Sequence, residues 1–193
     1  MKRLAVLIVS LCSLLLYGST ATAMAAATRP AAASQGGQNC VAQAEPAGSM
    51  ETPTATCYSS FAAAIRAATG GKVKLPATAR PGSVTSQMID TWNADPSSTF
   101  VLSIDYKDAD FSGGSLTWTQ TSNCGKFQAA GMPPGWNDVL SSLVTGTGCA
   151  NTLYQNANFG GMTVSISKNT SRSGLGSFND LTTSQKWCAA KPC

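Results

Sequence analysis

Two stretches, Y-K-D-A-D-F-S-G at Tyr106–Gly113 and Y-Q-N-A-N-F-G-G at Tyr154–Gly161, share one pattern: tyrosine, four residues, phenylalanine, one residue, glycine. Each is followed by a strand-like run, a loop and a hexapeptide, N-D-V-L-S-S at Asn137–Ser142 and N-D-L-T-T-S at Asn179–Ser184. A large aromatic residue, Trp136 or Phe178, precedes each hexapeptide. The order is kept in both copies, so two tandem supersecondary units of about 45 residues are the economical account. The first unit is longer, its extra length falling in the Gly/Pro-rich loop Gly125–Gly135.

The pattern has physical reasons. Tyr106 and Phe111, like Tyr154 and Phe159, can pack together when the hairpin between them folds back over its sheet, making an aromatic corner. Gly113 and Gly161 stand where that fold needs positive φ, which glycine adopts without steric cost. A hydroxyl from a later strand then satisfies backbone groups left unpaired by the bent hairpin. Ser142 and Ser184 are suited to this, so their expected role is structural.

From Phe100 onward short runs alternate: Val101, Ile104 and Tyr106, then Leu116 and Trp118, then Leu153-Tyr154, then Met162, Val164 and Ile166. Gly-, Asn- and Asp-rich turns separate them, as expected of antiparallel strands, and the expected fold is an all-β sandwich or barrel. Upstream, Cys40 to about Ser98 is Ala/Thr/Pro-rich. Tyr58, Phe61, Ala62 and Ile65 recur there at helical spacing and Gly70-Gly71 supplies a stop. Lys72–Leu75 reads as a short strand. The segment predicts a small accessory layer or extension with one short helix.

Composition removes function classes. The chain has no histidine, which excludes a Ser-His-Asp triad, a Cys-His dyad and a histidine zinc site. Only nine carboxylates are present, and both glutamates, Glu45 and Glu51, lie in the Pro/Thr/Ala-rich segment. No nucleophile–base pairing is visible, and the reading is of a protein that is not an enzyme.

Lys2 and Arg3 precede an apolar run from Leu4 to Tyr17, followed by small residues around Ala21-Thr22-Ala23. That layout predicts a secretory signal peptide over residues 1–27 and an extracellular protein with no membrane segment after cleavage. Residues 28–39 read as a disordered linker. Without Lys2 and Arg3 the chain carries 11 basic and 9 acidic residues, too balanced for a nucleic-acid partner. Cys12 leaves with the signal. Cys40, Cys57, Cys124, Cys149, Cys188 and Cys193 remain, with no C-x-x-C pair to suggest a metal. Six cysteines allow fifteen connectivities, and sequence proximity favours Cys40–Cys57, Cys124–Cys149 and Cys188–Cys193.

The Y-x-x-x-x-F-x-G corner followed by (N/D)-(N/D)-x-x-(S/T)-S resembles the double Greek-key motif of microbial βγ-crystallins, over roughly Phe100–Cys188. The resemblance implies two Greek keys at about 99–146 and 149–190, within a domain spanning 99–193. It also implies two calcium ions, each shared between the paired hexapeptide loops. Carried over by position, the side-chain ligands are Asp138, Asp180, Ser141 and Thr183. Backbone carbonyls come from Val139, Leu181, Ala109 and Ala157, while Asn137 and Asn179 either ligate or brace their loops. Such oxygens suit calcium, and one carboxylate per site implies a dissociation constant of about 10⁻⁵–10⁻³ M. One N-D-x-x-S-S alone would read as a capped turn; two at matching places in a repeat favour the metal.

Other features weigh less. Asp105, Asp108 and Asp110 crowd the first hairpin and read as a solvated turn, because Asn156 and Asn158 occupy the second hairpin's positions matching Asp108 and Asp110. Trp92, Trp118, Trp136 and Trp187 read as core or corner packing rather than a carbohydrate platform. Asn169-Thr170-Ser171 fits a glycosylation sequon. The leading expectation is a secreted, non-enzymatic calcium-binding module with an unidentified partner such as a cell-wall component. The rival is a proteinase inhibitor of the same fold acting on an extracellular protease through a loop at 123–135. A killer-protein-type toxin is the least supported.

Overall fold

A computed structural model describes residues 37–95, 99–146 and 148–193. The expected signal peptide and residues 28–36 of the expected linker lie outside the described residues. The strands of the first repeat are β4 (Phe100–Asp108), β5 (Ser112–Gln120), β6 (Phe127–Ala129) and β7 (Ser142–Thr145). Those of the second are β8 (Ala150–Asn156), β9 (Gly160–Ile166), β10 (Thr170–Arg172) and β11 (Ser184–Cys188). Upstream lie β1 (Asn39–Gln43), β2 (Glu45–Pro46), β3 (Ala55–Tyr58) and two helices, α1 (Phe61–Ala68) and α2 (Ser86–Asn93).

Each repeat is a Greek key that gives its third strand away. β6 leaves the first key to pair with β11, and β10 leaves the second to pair with β7. The result is a six-stranded sheet, β10-β7-β4-β5-β1-β3, and a five-stranded sheet, β2-β6-β11-β8-β9. This is the all-β double Greek key that the repeat implied, and the upstream extension carries two short helices where one was expected. Between the sheets, Leu102, Leu116, Trp118, Ala129, Trp136 and Trp187 form one core cluster; Leu140, Leu143, Leu153, Ile166 and Phe178 form another. The indoles of Trp118 and Trp187 pack with centroids 4.9 Å apart. Three of the four tryptophans therefore fill this interior, and Trp92 packs under the helices.

The segment before Phe100 is more than an accessory layer. β1 pairs parallel to β5 from Asn39, so the expected linker ends in a buried strand residue, and β3 extends the same sheet. β2 pairs with β6 in the other sheet. Residues 37–95 thus lengthen both sheets. α1 begins at Phe61, with Ser60 Oγ accepting from Ala63 N, and ends where Gly70 and Gly71 take positive φ. Tyr58 belongs to β3 rather than to the helix, and Lys72–Leu75 forms no strand. α2 escaped the sequence reading because only Ile89 and Trp92 of its eight residues are buried, too few for a helical period to show. Both helices cover the outer face of the six-stranded sheet, where Phe61, Ile65, Val84, Ile89 and Trp92 meet Val101, Ile104, Tyr106 and Val144. Burying Ile65 and Ile89 completely contributes about 1.5–3 kcal/mol each.

The three disulfides join Cys40 to Cys57, Cys124 to Cys149 and Cys188 to Cys193, the pairing that proximity favoured. Cys40 and Cys57 face each other directly across β1 and β3. Among the described residues no helix is long and apolar enough to cross a membrane.

Candidate metal centre

The two hairpins repeat each other in backbone turn, aromatic contact and serine anchor. Tyr106 and Phe111 meet edge to face at 5.6 Å, and Tyr154 and Phe159 at 5.5 Å. The chain turns through left-handed φ at Asp110, Phe111 and Gly113, and again at Asn158, Phe159 and Gly161. Glycine ends each turn because a Cβ at Gly113 would lie 2.5 Å from Asp108 Oδ2, and one at Gly161 would lie 2.9 Å from Asn156 Nδ2. Ser142 Oγ donates to Asp108 O at 2.6 Å and accepts from Phe111 N at 3.1 Å. Ser184 Oγ does the same with Asn156 O and Phe159 N, at 2.6 and 3.1 Å. Each buried hydroxyl satisfies one donor and one acceptor that the folded-back hairpin removes from its ladder.

The hexapeptide loops lie against each other as a pair. Asp138 N donates to Thr182 O at 3.1 Å, and Asp180 N donates to Leu140 O at 3.0 Å. Both aspartates adopt left-handed φ, 54° and 57°, a conformation that Asn and Asp accept more readily than most residues. The side chains then cross between loops. Ser141 Oγ donates to Asp180 Oδ1 at 2.8 Å, and Thr183 Oγ1 donates to Asp138 Oδ1 at 3.0 Å. Each pair joins a hydroxyl of one Greek key to a carboxylate of the other.

These oxygens fit calcium. In a pentagonal-bipyramidal shell with bonds of 2.3–2.6 Å, neighbouring equatorial oxygens lie about 2.7–3.1 Å apart, the separation found in both pairs. Asp138 and Asp180 are exposed, so a cation meets little desolvation barrier. Val139 and Leu181 lie half-buried within the loops, and Ala109 and Ala157 stand at matching, exposed positions in the hairpins. The Ala109 carbonyl accepts from Ser112 Oγ at 2.8 Å. Both asparagines hydrogen-bond close to their own loops. Asn137 Nδ2 donates to Asp138 Oδ2 at 2.7 Å, and Asn179 Oδ1 accepts from Leu175 N at 2.7 Å. Among the described residues no three His, Cys, Asp or Glu side chains gather; a cation at either pair would meet one carboxylate and neutral oxygens.

The three aspartates expected together on the first hairpin separate. Asp108 and Asp110 are exposed, whereas Asp105 is fully buried between the sheets. Its Oδ2 accepts from Trp118 Nε1 at 2.7 Å and Gln185 Nε2 at 2.8 Å, and its Oδ1 from Ser103 Oγ at 3.3 Å. Ser103 Oγ also accepts from Trp187 Nε1 at 3.0 Å. Burial pushes the Asp105 carboxyl up to about 6, against the opposing pull of those hydrogen bonds. Burial, then the Asp105 charge, also pushes the Tyr106 phenol up. The sequence carried one signal of this: Asp105 alternates with Ile104 and Tyr106, but on the face that also carries Ser103.

The loop expected to stay free at 123–135 is largely built into the fold. Phe127–Ala129 is strand β6, and residues 128–133 are buried. The exposed residues of the stretch are Asn123 and Lys126, beside the Cys124–Cys149 bridge and continuous with Thr121 and Ser122, and Pro134 and Gly135 at its far end. The rule that removed it is strand exchange, which no local pattern in a Gly/Pro-rich stretch announces. Asn169 of the sequon is exposed.

A family model described as peptidase inhibitor family I36 matches residues 106–166. No curated protein matches the chain. Among solved structures, a βγ-crystallin domain from Flavobacterium johnsoniae is 30% identical, covering 48% of this chain and 99% of that one, with a TM-score of 0.35. A βγ-crystallin domain from Clostridium beijerinckii is 25% identical over 46% of this chain and 99% of that one, TM-score 0.35. The N-terminal domain of protein S is 21% identical over 46% and 97%, TM-score 0.37. With two Greek keys that exchange their third strands, an aromatic corner in each, and a duplicated N-D loop paired between them, the chain belongs to the βγ-crystallin family.

Proposed function

We propose that this is a secreted, non-enzymatic calcium-binding βγ-crystallin-type protein holding two ions between its paired loops. The observation that carries the reading is the reciprocal exchange of Ser141 with Asp180 and Thr183 with Asp138. Asp138 and Asp180 supply the charge, Ser141 and Thr183 the neutral side-chain oxygens, and the backbone of Val139, Leu181, Ala109 and Ala157 the remainder. Calcium, when bound, supplies a cross-link between the keys rather than a reaction. Each ion stabilises the fold by about 2.7 kcal/mol when free calcium is about 100 times the dissociation constant. Three disulfides suit an oxidising compartment, and an extracellular medium with abundant calcium suits sites of this strength. Calorimetric titration with CaCl₂ should show two ions bound and a calcium-dependent rise in melting temperature, both abolished in Asp138→Ala/Asp180→Ala. A wild-type protein with neither binding heat nor stabilisation sinks the reading.

The match of residues 106–166 to a peptidase-inhibitor family favours a second reading, inhibition of an extracellular peptidase. Its contact surface is then the exposed stretch at 121–126, anchored by Cys124–Cys149, rather than all of 123–135. Thermolysin- and subtilisin-like peptidases assayed with near-stoichiometric protein test it; full activity in both excludes it for those classes.

A further inference from the structure

The two loop pairs are alike in their own atoms and unlike in what stands beside them. A closed path of hydrogen bonds places the first hairpin against Ser141 and Asp180. Ser142 holds Asp108 and Phe111, Ser141 N donates to Tyr106 O at 3.0 Å, and Leu175 N donates to Ser141 O at 3.1 Å. Leu175 N also reaches Asn179, next to Asp180, and Asp110 N returns to Ser173 O at 2.7 Å. The second hairpin stands in the same way against Thr183 and Asp138. Ser184 holds Asn156 and Phe159, Thr183 N donates to Tyr154 O at 2.9 Å, Met132 N donates to Thr183 O at 2.8 Å, and Asn158 N closes on Ala130 O at 2.8 Å.

The first hairpin carries Asp108 and Asp110; the second carries Asn156 and Asn158 in their places. Basic groups stand near both corners. Lys186 Nζ sits 4.2 Å from the Phe159 ring centre in the second corner. Lys107, beside Asp108 in sequence, reaches to 5.1 Å from the ring of Trp136, which precedes the Asn137-Asp138 loop. From other elements, Arg80 lines a cleft of about 460 Å³ with Asp110, and Arg172 on β10 precedes Ser173, whose carbonyl accepts from Asp110 N.

Resting on the calcium reading above, we infer that the two ions bind unequally: the Ser141–Asp180 site fills first, with Asp108 and Asp110 as its affinity-setting residues, and the Thr183–Asp138 site fills second. Neither carboxylate needs to touch the ion. A formal charge within a Debye length of a divalent cation acts through space, and salt screens it. With Lys107, Arg80 and Arg172 offsetting part of that charge, the two together favour the first site by roughly three- to tenfold.

The test is calorimetric titration of the disulfide-bonded full-length chain with CaCl₂ at low and high NaCl. Asp180→Asn should remove the tighter event and Asp138→Asn the weaker one, each asparagine keeping an oxygen for its hydroxyl partner. Asp108→Asn/Asp110→Asn should weaken the tighter event by roughly three- to tenfold, leave the weaker one unchanged, and flatten the salt dependence of the first. Two equal events in the wild type, or loss of the tighter event in Asp138→Asn, overturns the inference while leaving calcium binding intact. Absence of any binding heat in the wild type overturns the reading beneath it.

Discussion

The two Greek keys have nearly superimposable corners and opposite surroundings. In the first, Tyr106 is completely buried, its ring under α1 and α2 and its hydroxyl donating to Pro81 O at 3.1 Å. In the second, Tyr154 and Phe159 are half-exposed, the Lys186 ammonium sits over the Phe159 ring, and Met162 on β9 is 57% exposed. The first key also buries Asp105 at the position where the second buries Leu153. The local motif therefore sets the turn, while the neighbours decide how much each turn is worth. A repeat in sequence is not a repeat in energy.

The largest test of this contrast is Tyr106→Ala against Tyr154→Ala in urea denaturation. Loss of a fully buried ring should cost about 3–5 kcal/mol, and loss of the half-exposed one less than half as much. Equal costs would mean that the helices contribute little to the first corner.

Next comes pH. Asp105 titrates near 6 in the folded protein against 3.8 when unfolded, so the native state holds the extra proton between those values. Its contribution is complete below pH 4, declines as pH rises through 4 to 6, and is gone above, a span of about 3 kcal/mol. Asp105→Asn preserves the three contacts in shape and has no proton to lose. The difference in unfolding free energy between variant and wild type should therefore grow from near zero at pH 4 to about 3 kcal/mol in the variant's favour at pH 7. A difference independent of pH would show that Asp105 does not ionise in the folded state. The second key, with Leu153, supplies no such slope.

The smallest difference should lie where the keys are most alike. Ser142→Ala and Ser184→Ala each strand one backbone donor and one acceptor, and each should cost about 1–3 kcal/mol, equal within error. Unequal costs would extend the asymmetry from the surroundings into the hinges themselves.

Much of this was legible before any coordinates. The spacing of Tyr106, Phe111 and Gly113, repeated at Tyr154, Phe159 and Gly161, is a local code, because aromatic contact and positive φ are satisfied within eight residues. The hexapeptides were readable because they recur in register with the corners, and the closing serine of each, Ser142 or Ser184, bonds the hairpin of its own key. The disulfide pairing followed from proximity, since each bridge closes a short stretch of chain. The helix at Phe61–Ala68 announced itself through its apolar period and its glycine stop.

Only the tertiary structure decided the rest. That β6 and β10 change sheets, that β1 joins β5 in parallel across more than seventy residues, and that α2 lies over β4 depend on long-range pairing with no local signature. Asp105 reads as one more hairpin acid until Trp118 and Gln185 close over it from two other strands. The crossing of Ser141 to Asp180 and Thr183 to Asp138 likewise exists only once two keys have packed. Sequence alone determined the elements whose hydrogen bonds and contacts close within one repeat unit or a short stretch of chain. What depended on partners brought together by burial, where free energy is set by neighbours distant in sequence, had to wait for the fold.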